Sequence, residues 1–211
     1  MAELLTVMVI FGLISMVVAA VIGPMLRAPG QEQLKVDTMQ AVAKAVYRIQ
    51  RAVRQTTTSG VYYCTNNVPT ACLAPVGGAT PAPAQTLVIT SPRNGPKGTL
   101  VLSATGVALQ QGYNVYWLHQ NPQHANETDL VFPFVPNPVG WQDTGAYISQ
   151  HVVDPAITAS ASAQVVAASV TGMNVGLNLS TNDVQFSLTA RSNDGQKTNE
   201  ATFVADTTIR N

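Results

Sequence analysis

The sequence predicts an α+β fold in which one long N-terminal helix, hydrophobic in its first half and amphipathic in its second, packs on an antiparallel β-sheet domain. Three observations predict it. Residues 4–26 carry no charged side chain, residues 31–55 contain neither Gly nor Pro, and beyond Thr56 short β-branched or aromatic runs alternate with turn formers. The expected organisation is a helix over 1–55, changing character after residue 26, and a β-rich globular head over 56–211.

The first segment, LLTVMVIFGLISMVVAAVIGPML over 4–26, has only Thr6 and Ser15 as polar side chains. As a helix it spans roughly 34 Å, enough for a hydrocarbon core of roughly 30 Å. A secretory signal starts basic and has a shorter apolar region, whereas this segment starts with Glu3 and runs long. Hydropathy alone is equally consistent with a single membrane anchor. Glu3 adds something to that. A carboxylate at the end of an apolar helix is costly unless it stays in water or meets a cation. In a staggered bundle of identical helices that cation is the α-amino group of a neighbouring chain, which sets the register; at a membrane surface the carboxylate simply remains hydrated. At Gly23-Pro24 the helix either kinks or ends, because proline lacks the amide donor and glycine weakens the turn beside it.

In the second segment, 31–55, Met39, Val42, Val46, Ile49 and Val53 recur at intervals of three and four, one face of a helix. Lys44, Arg48 and Arg51 lie elsewhere around it, and cations late in a helix suit its dipole. A basic amphipathic helix can lie on a membrane or bind partner helices, but the simpler expectation is that the apolar stripe docks on the following domain.

Strand-like runs then fall at 61–64, 86–90, 99–103, 114–118, 130–135, 146–153, 164–170, 173–179, 184–190 and 201–205. Ser192-Asn193-Asp194-Gly195 reads as a hairpin turn, and Arg93-Asn94-Gly95-Pro96-Lys97-Gly98 as a turn between another pair. Ala74 to Ala84 is low-complexity loop. Cys64 and Cys72 enclose seven residues rich in turn formers, and in an exported protein they are expected to pair.

Composition removes several functions. The chain has 211 residues, 46% hydrophobic and 10% charged, which suits one domain with an appendage, or two small ones, and excludes disorder. Eleven basic against eleven acidic residues leave no surplus for a dedicated nucleic-acid binder. Two cysteines without a CxxC exclude a cysteine-only zinc site. The charges are nonetheless segregated. Residues 27–55 carry six basic and two acidic side chains, and residues 56–211 five basic and eight acidic.

His119, His124 and His151, with Asp129, Asp143 and Asp154 as the nearest aspartates, could by residue type hold a metal, but no HxH or HxxxH spacing is present and the histidines read as scattered surface residues; no cofactor or metal is expected. No GxSxG, P-loop or GxGxxG is present, so a tethered hydrolase is disfavoured. Asn126 and Asn178 head N-x-S/T sequons and are candidate glycosylation acceptors. Tyr113, Tyr116 and Trp117 form a candidate stacking surface for sugar or DNA, although strand alternation sends at least one of them to the core.

The segment AELLTVMVIFGLISMVVAAVI, with Glu3, Leu4 and Leu5 and then Gly12 nine residues after the glutamate, resembles the N-terminus of mature type IV pilins and type II secretion pseudopilins. Here the glutamate is third rather than the usual fifth, and Pro24 lies 21 rather than 17 residues after it. The Arg48 to Arg54 segment and the ending TFVADTTIRN are similar to J-type pseudopilins and W-type minor pilins. The resemblance implies a structural, non-enzymatic subunit of a type IV pilus-like extracellular filament on the bacterial surface. Its apolar helix would sit in the inner membrane before assembly and in the filament core afterwards. The implied assembly residues are Glu3, Gly12, Gly23 and Pro24. The implied partners are copies of itself, other pilins, the inner-membrane assembly machinery and a prepilin peptidase, with methylation of the mature N-terminus. A minor pilin or pseudopilin that initiates or tips a filament, and a membrane-anchored adhesin or sugar-binding module, are the alternatives.

Overall fold

The computed structural model describes residues 11–12, 15–17, 20, 35–56, 60–65, 72–73, 81–121, 127–136, 148, 152–153, 163–178, 181–193 and 198–209. The chain divides into two compact units, Met1–Asp37 and Thr38–Asn211.

In the first unit, residues 11–12, 15–17 and 20 are helical and exposed. The large apolar side chains among them are uncovered: Phe11 is 72% exposed, Met16 74% and Val17 62%. Among the described residues no helix is long and apolar enough to cross a membrane.

Helix α1 runs over 35–53. From Thr38 on it belongs to the second unit. Its 3.6-residue period brings Val42, Ala45, Ile49, Ala52 and Val53 to one fully or nearly fully buried face, with Met39 and Val46 half-buried beside them. The last turn tightens, Gln55 N–H donating to the Ala52 carbonyl at 3.1 Å and Thr56 N–H to that of Val53 at 3.2 Å. The Thr56 and Thr90 hydroxyls, 2.5 Å apart and buried, then tie the helix end to the sheet.

Eleven strands follow among the described residues: β1 Val61–Cys64, β2 Cys72–Leu73, β3 Ala82–Pro83, β4 Thr86–Ser91, β5 Gly112–Gln120, β6 Thr128–Phe132, β7 Phe134–Pro136, β8 Gln164–Ala167, β9 Val170–Asn178, β10 Asp183–Asn193 and β11 Thr198–Thr208. They form two antiparallel sheets. The first is ordered β2-β1-β4-β5-β6-β8, with β7 also on β5; the second is β11-β10-β9-β3.

Strand alternation gives the first sheet two buried faces. Val61, Tyr63, Leu87, Ile89 and Tyr116 join the apolar face of α1 and the inner side chains of the second sheet, such as Met173, Phe186 and Leu188, in the main core. Tyr62, Cys64, Val88, Tyr113 and Val115 point the other way, into a second cluster closed by Ile148, Val152 and Val153. All six residues of β4 are buried accordingly.

The expected α+β architecture built on one long N-terminal helix over 1–55 is overturned. The described residues are mostly antiparallel strand, their one sustained helix is about 19 residues long, and among the described residues no long apolar helix is found. The reason is the balance of partners. Strands pair with strands through both sheets and bury most of the core, so α1 covers a β assembly instead of serving as its spine. Two strand expectations also fail. At 99–103 only isolated bridges form, Arg93 with Leu100 and Leu102 with Ala108, and Leu100, Leu102 and Val107 stay substantially exposed because no neighbouring strand covers them. At 146–153 the described residues are helical or turn: Val152 and Val153 N–H both donate to the Ile148 carbonyl. An apolar run destined for full burial has no periodicity to separate the two conformations. The run at 130–135 splits at Pro133, which has no amide to donate, and that at 164–170 splits at Ser169, whose φ is 55°.

Candidate functional site

A polar groove of about 240 Å³ lies between the outer side of α1, the turn after β4 and the faces of β5 and β6. One wall is Arg48 and Arg51, one helical turn apart, with Gln55 a turn further on. Arg93 and Lys97 from the turn form the opposite wall, and Asn114, Tyr116 and Phe132 make the floor. Four cations face this space, and none of its described walls is acidic.

The local sequence explains how each cation is held. Arg48 falls between the buried face of α1, marked by Ala45, Ile49 and Ala52, and solvent, so its stem packs while its head stays at the rim. Its guanidinium carbon sits 4.2 Å above the Phe132 ring, and Nη1 donates to Gln164 Oε1 at 3.5 Å. Arg93 opens a tight turn closed by Gly98 N–H to the Gly95 carbonyl at 3.1 Å and Asn94 N–H to the Thr99 carbonyl at 3.3 Å. Within it Arg93 Nη1 donates to the Gly98 carbonyl at 2.9 Å and Nε to Gln55 Oε1 at 3.2 Å, so the turn is pinned to the end of α1. Arg51 and Lys97 are exposed. Burial pushes the Tyr116 phenol well above its ordinary pKa, an effect Arg48 only partly offsets, so it remains a neutral hydroxyl at physiological pH.

The residues singled out in the sequence fall differently. Glu3, Gly23, Pro24, Asn126, His124, His151, Asp143 and Asp154 lie outside the described residues. Gly12 is helical, and a Cβ placed on it would meet nothing within 4 Å. Cys64 and Cys72 form a disulfide across the β1–β2 pairing, as expected. Asn178 is half-buried at the end of β9, opposite Asp183. His119 stacks its ring on Trp117 at 4.7 Å and lies opposite Asp129 in the β5–β6 register. Among the described residues no three His, Cys, Asp or Glu side chains are grouped to hold a metal ion. Tyr113 and Tyr116 are fully buried, on opposite faces of the sheet, which leaves Trp117 alone of the three aromatics partly accessible.

Sequence reasoning missed the groove because its walls are about 40 residues apart in the chain. In the sequence Arg48 and Arg51 read as cations off the apolar stripe that suit the helix dipole, and Arg93 to Gly98 as a turn. The one available signal was that this turn holds two of the five cations of an otherwise acidic block.

No family model, curated protein or solved structure matches the chain.

Proposed function

We propose that this chain is an exported, non-enzymatic structural subunit that assembles with copies of itself into a pilus-like filament through its apolar N-terminal segment. The proposal keeps the filament role suggested by that segment and drops the pilin architecture. The observation that carries it is the segment's lack of any polar face: 23 residues without a charge, whose described helical positions leave Phe11, Met16 and Val17 exposed. Such a surface requires an apolar environment, which lipid supplies before assembly and neighbouring subunits supply after it. The disulfide between Cys64 and Cys72 supports an oxidising destination.

The test is electron microscopy of material sheared from the surface of producing cells, with mass spectrometry of its subunits. The chain is expected as a component of fibres, and Glu3→Ala is expected to lower fibre yield with membrane insertion intact. Recovery of the chain only as single molecules in lipid overturns the proposal in favour of a membrane-anchored module.

A further inference from the structure

We propose that the groove between α1 and the turn after β4 binds a phosphate group. The inference is independent of the filament reading, since every described wall residue lies within the second unit.

Placing Arg48 and Arg51 three residues apart on one helix puts like charges on neighbouring positions, which is unfavourable in the absence of an anion. Bringing Arg93 and Lys97 against them adds to that repulsion, and no described wall residue relieves it with a carboxylate. Nor is the arrangement a by-product of loose side chains. Arg48 is seated on the Phe132 ring and Arg93 is clamped by Gln55 and the Gly98 carbonyl, so two guanidiniums are fixed before any ligand arrives. Fixed planar donors lower the ordering cost of binding, and their fork geometry matches the paired oxygens of a phosphate.

Size and charge choose among anions. A carboxylate brings one negative charge and two oxygens, whereas a phosphate monoester brings nearly two charges and three terminal oxygens. Four cations around about 240 Å³ suit the second, with room left for the small group that carries it. Asn114 on the floor supplies an uncharged donor. The phosphate comes either from a small soluble molecule or from a phospholipid headgroup, and one experiment separates the two.

The full-length chain in neutral detergent is titrated with inorganic phosphate and with pyrophosphate, with sodium chloride at matched ionic strength and acetate as controls, and read by thermal melting and calorimetry. Phosphate and pyrophosphate are expected to raise the melting temperature saturably, and chloride and acetate to leave it unchanged. Arg51→Gln, at an exposed position that carries none of the clamping bonds, is expected to weaken phosphate binding roughly tenfold, and Arg51→Lys to recover part of the loss. Lys97→Gln acts in the same direction. Circular dichroism and a ligand-free melting temperature no lower than the parent's show that the variants fold, a small rise being the expected relief of like-charge repulsion. The source arm compares phosphatidylglycerol with phosphatidylcholine vesicles. A melting shift specific to phosphatidylglycerol, abolished by Arg51→Gln and competed by inorganic phosphate, assigns a headgroup; a response to soluble phosphate alone assigns a soluble ligand. The proposal is overturned if neither phosphate nor pyrophosphate exceeds the matched salt control, or if Arg51→Gln and Lys97→Gln respond as the parent does.

Discussion

The Asp129 carboxylate accepts the backbone N–H of Ser169 at 3.1 Å and holds that serine in the left-handed region, at φ 55°. Its other oxygen accepts Asn121 Nδ2 at 3.0 Å. One nearly buried side chain on β6 thus fixes the break between β8 and β9, where the chain passes from the first sheet to the second. Asp129→Ala is expected to cost about 1.5–3 kcal/mol, the range for hydrogen bonds to a charged acceptor, read from the urea midpoint. Ser169→Gly is expected to be neutral or slightly stabilising, because glycine adopts this conformation without penalty, and Ser169→Val to be destabilising. Equal melting of Asp129→Ala and the parent removes the assigned role.

Gly112 opens β5 beside β7, and there is no room for a side chain there. A Cβ would lie 2.5 Å from the Val135 carbonyl oxygen and 2.6 Å from Phe134 Cζ. Since the first obstacle is backbone, relief requires the strands to part. Gly112→Ala is expected to cost about 1–3 kcal/mol. Gly172→Ala is the control, because its nearest neighbour, Thr189 Cβ, is 3.8 Å away, an ordinary contact. The two variants should separate clearly in a thermal melt.

The core is expected to respond asymmetrically to changes on α1. Ile49 is wholly buried among both sheets, so Ile49→Ala leaves a cavity costing about 2–5 kcal/mol. Arg51, two residues along and so on the opposite, exposed side of the helix, should change stability by less than about 0.5 kcal/mol on substitution by alanine. Comparable losses at the two positions contradict the assigned facing of the helix.

What could be read beforehand follows a physical divide. Local periodicity marked the stripe of α1 and β1 at its actual bounds, and the turn residues marked the β10–β11 hairpin, whose register closes at Asn193 and Thr198. Those features depend on near neighbours in the chain. The architecture did not follow, because the pairing of two sheets rests on contacts distant in the chain. At 99–103 and 146–153, propensity was overruled by the presence or absence of a partner strand, which no local window contains. The groove belongs to the same class. Arg48 and Arg93 line one groove only because β4 runs antiparallel to β1 and returns its turn to the end of α1.

The Cys64–Cys72 bond closes a short loop across β1 and β2, and both residues sit in the second apolar cluster. Constraint of so short a loop in the unfolded chain is worth about 2–3 kcal/mol in the chain-entropy account. The double variant Cys64→Ala, Cys72→Ala is expected to melt on the order of 5–10 °C lower than the parent, at a slope of about 2–4 °C per kcal/mol. Reduction of the parent in denaturant should bring its midpoint to that of the double variant. A reduced midpoint unchanged from the oxidised one sinks this expectation.

Acid sensitivity is expected at the β9–β10 turn. Thr208 Oγ1 donates to Asp183 Oδ1 at 2.6 Å, and with a second hydroxyl, from Thr181, holds the carboxyl below its ordinary pKa of 3.8. A carboxylate with a depressed pKa in the folded state binds protons less readily there than in the unfolded chain. Its contribution is therefore complete above 3.8 and disappears as pH falls below that value towards the folded pKa. Thr208→Val removes the larger of the two causes. The melting temperatures of parent and variant should differ most at neutral pH and converge as the solution is acidified below the ordinary aspartate pKa. A gap between the two proteins that stays constant from neutral pH into that acid range would show that the hydroxyl pair does not stabilise the ionised form.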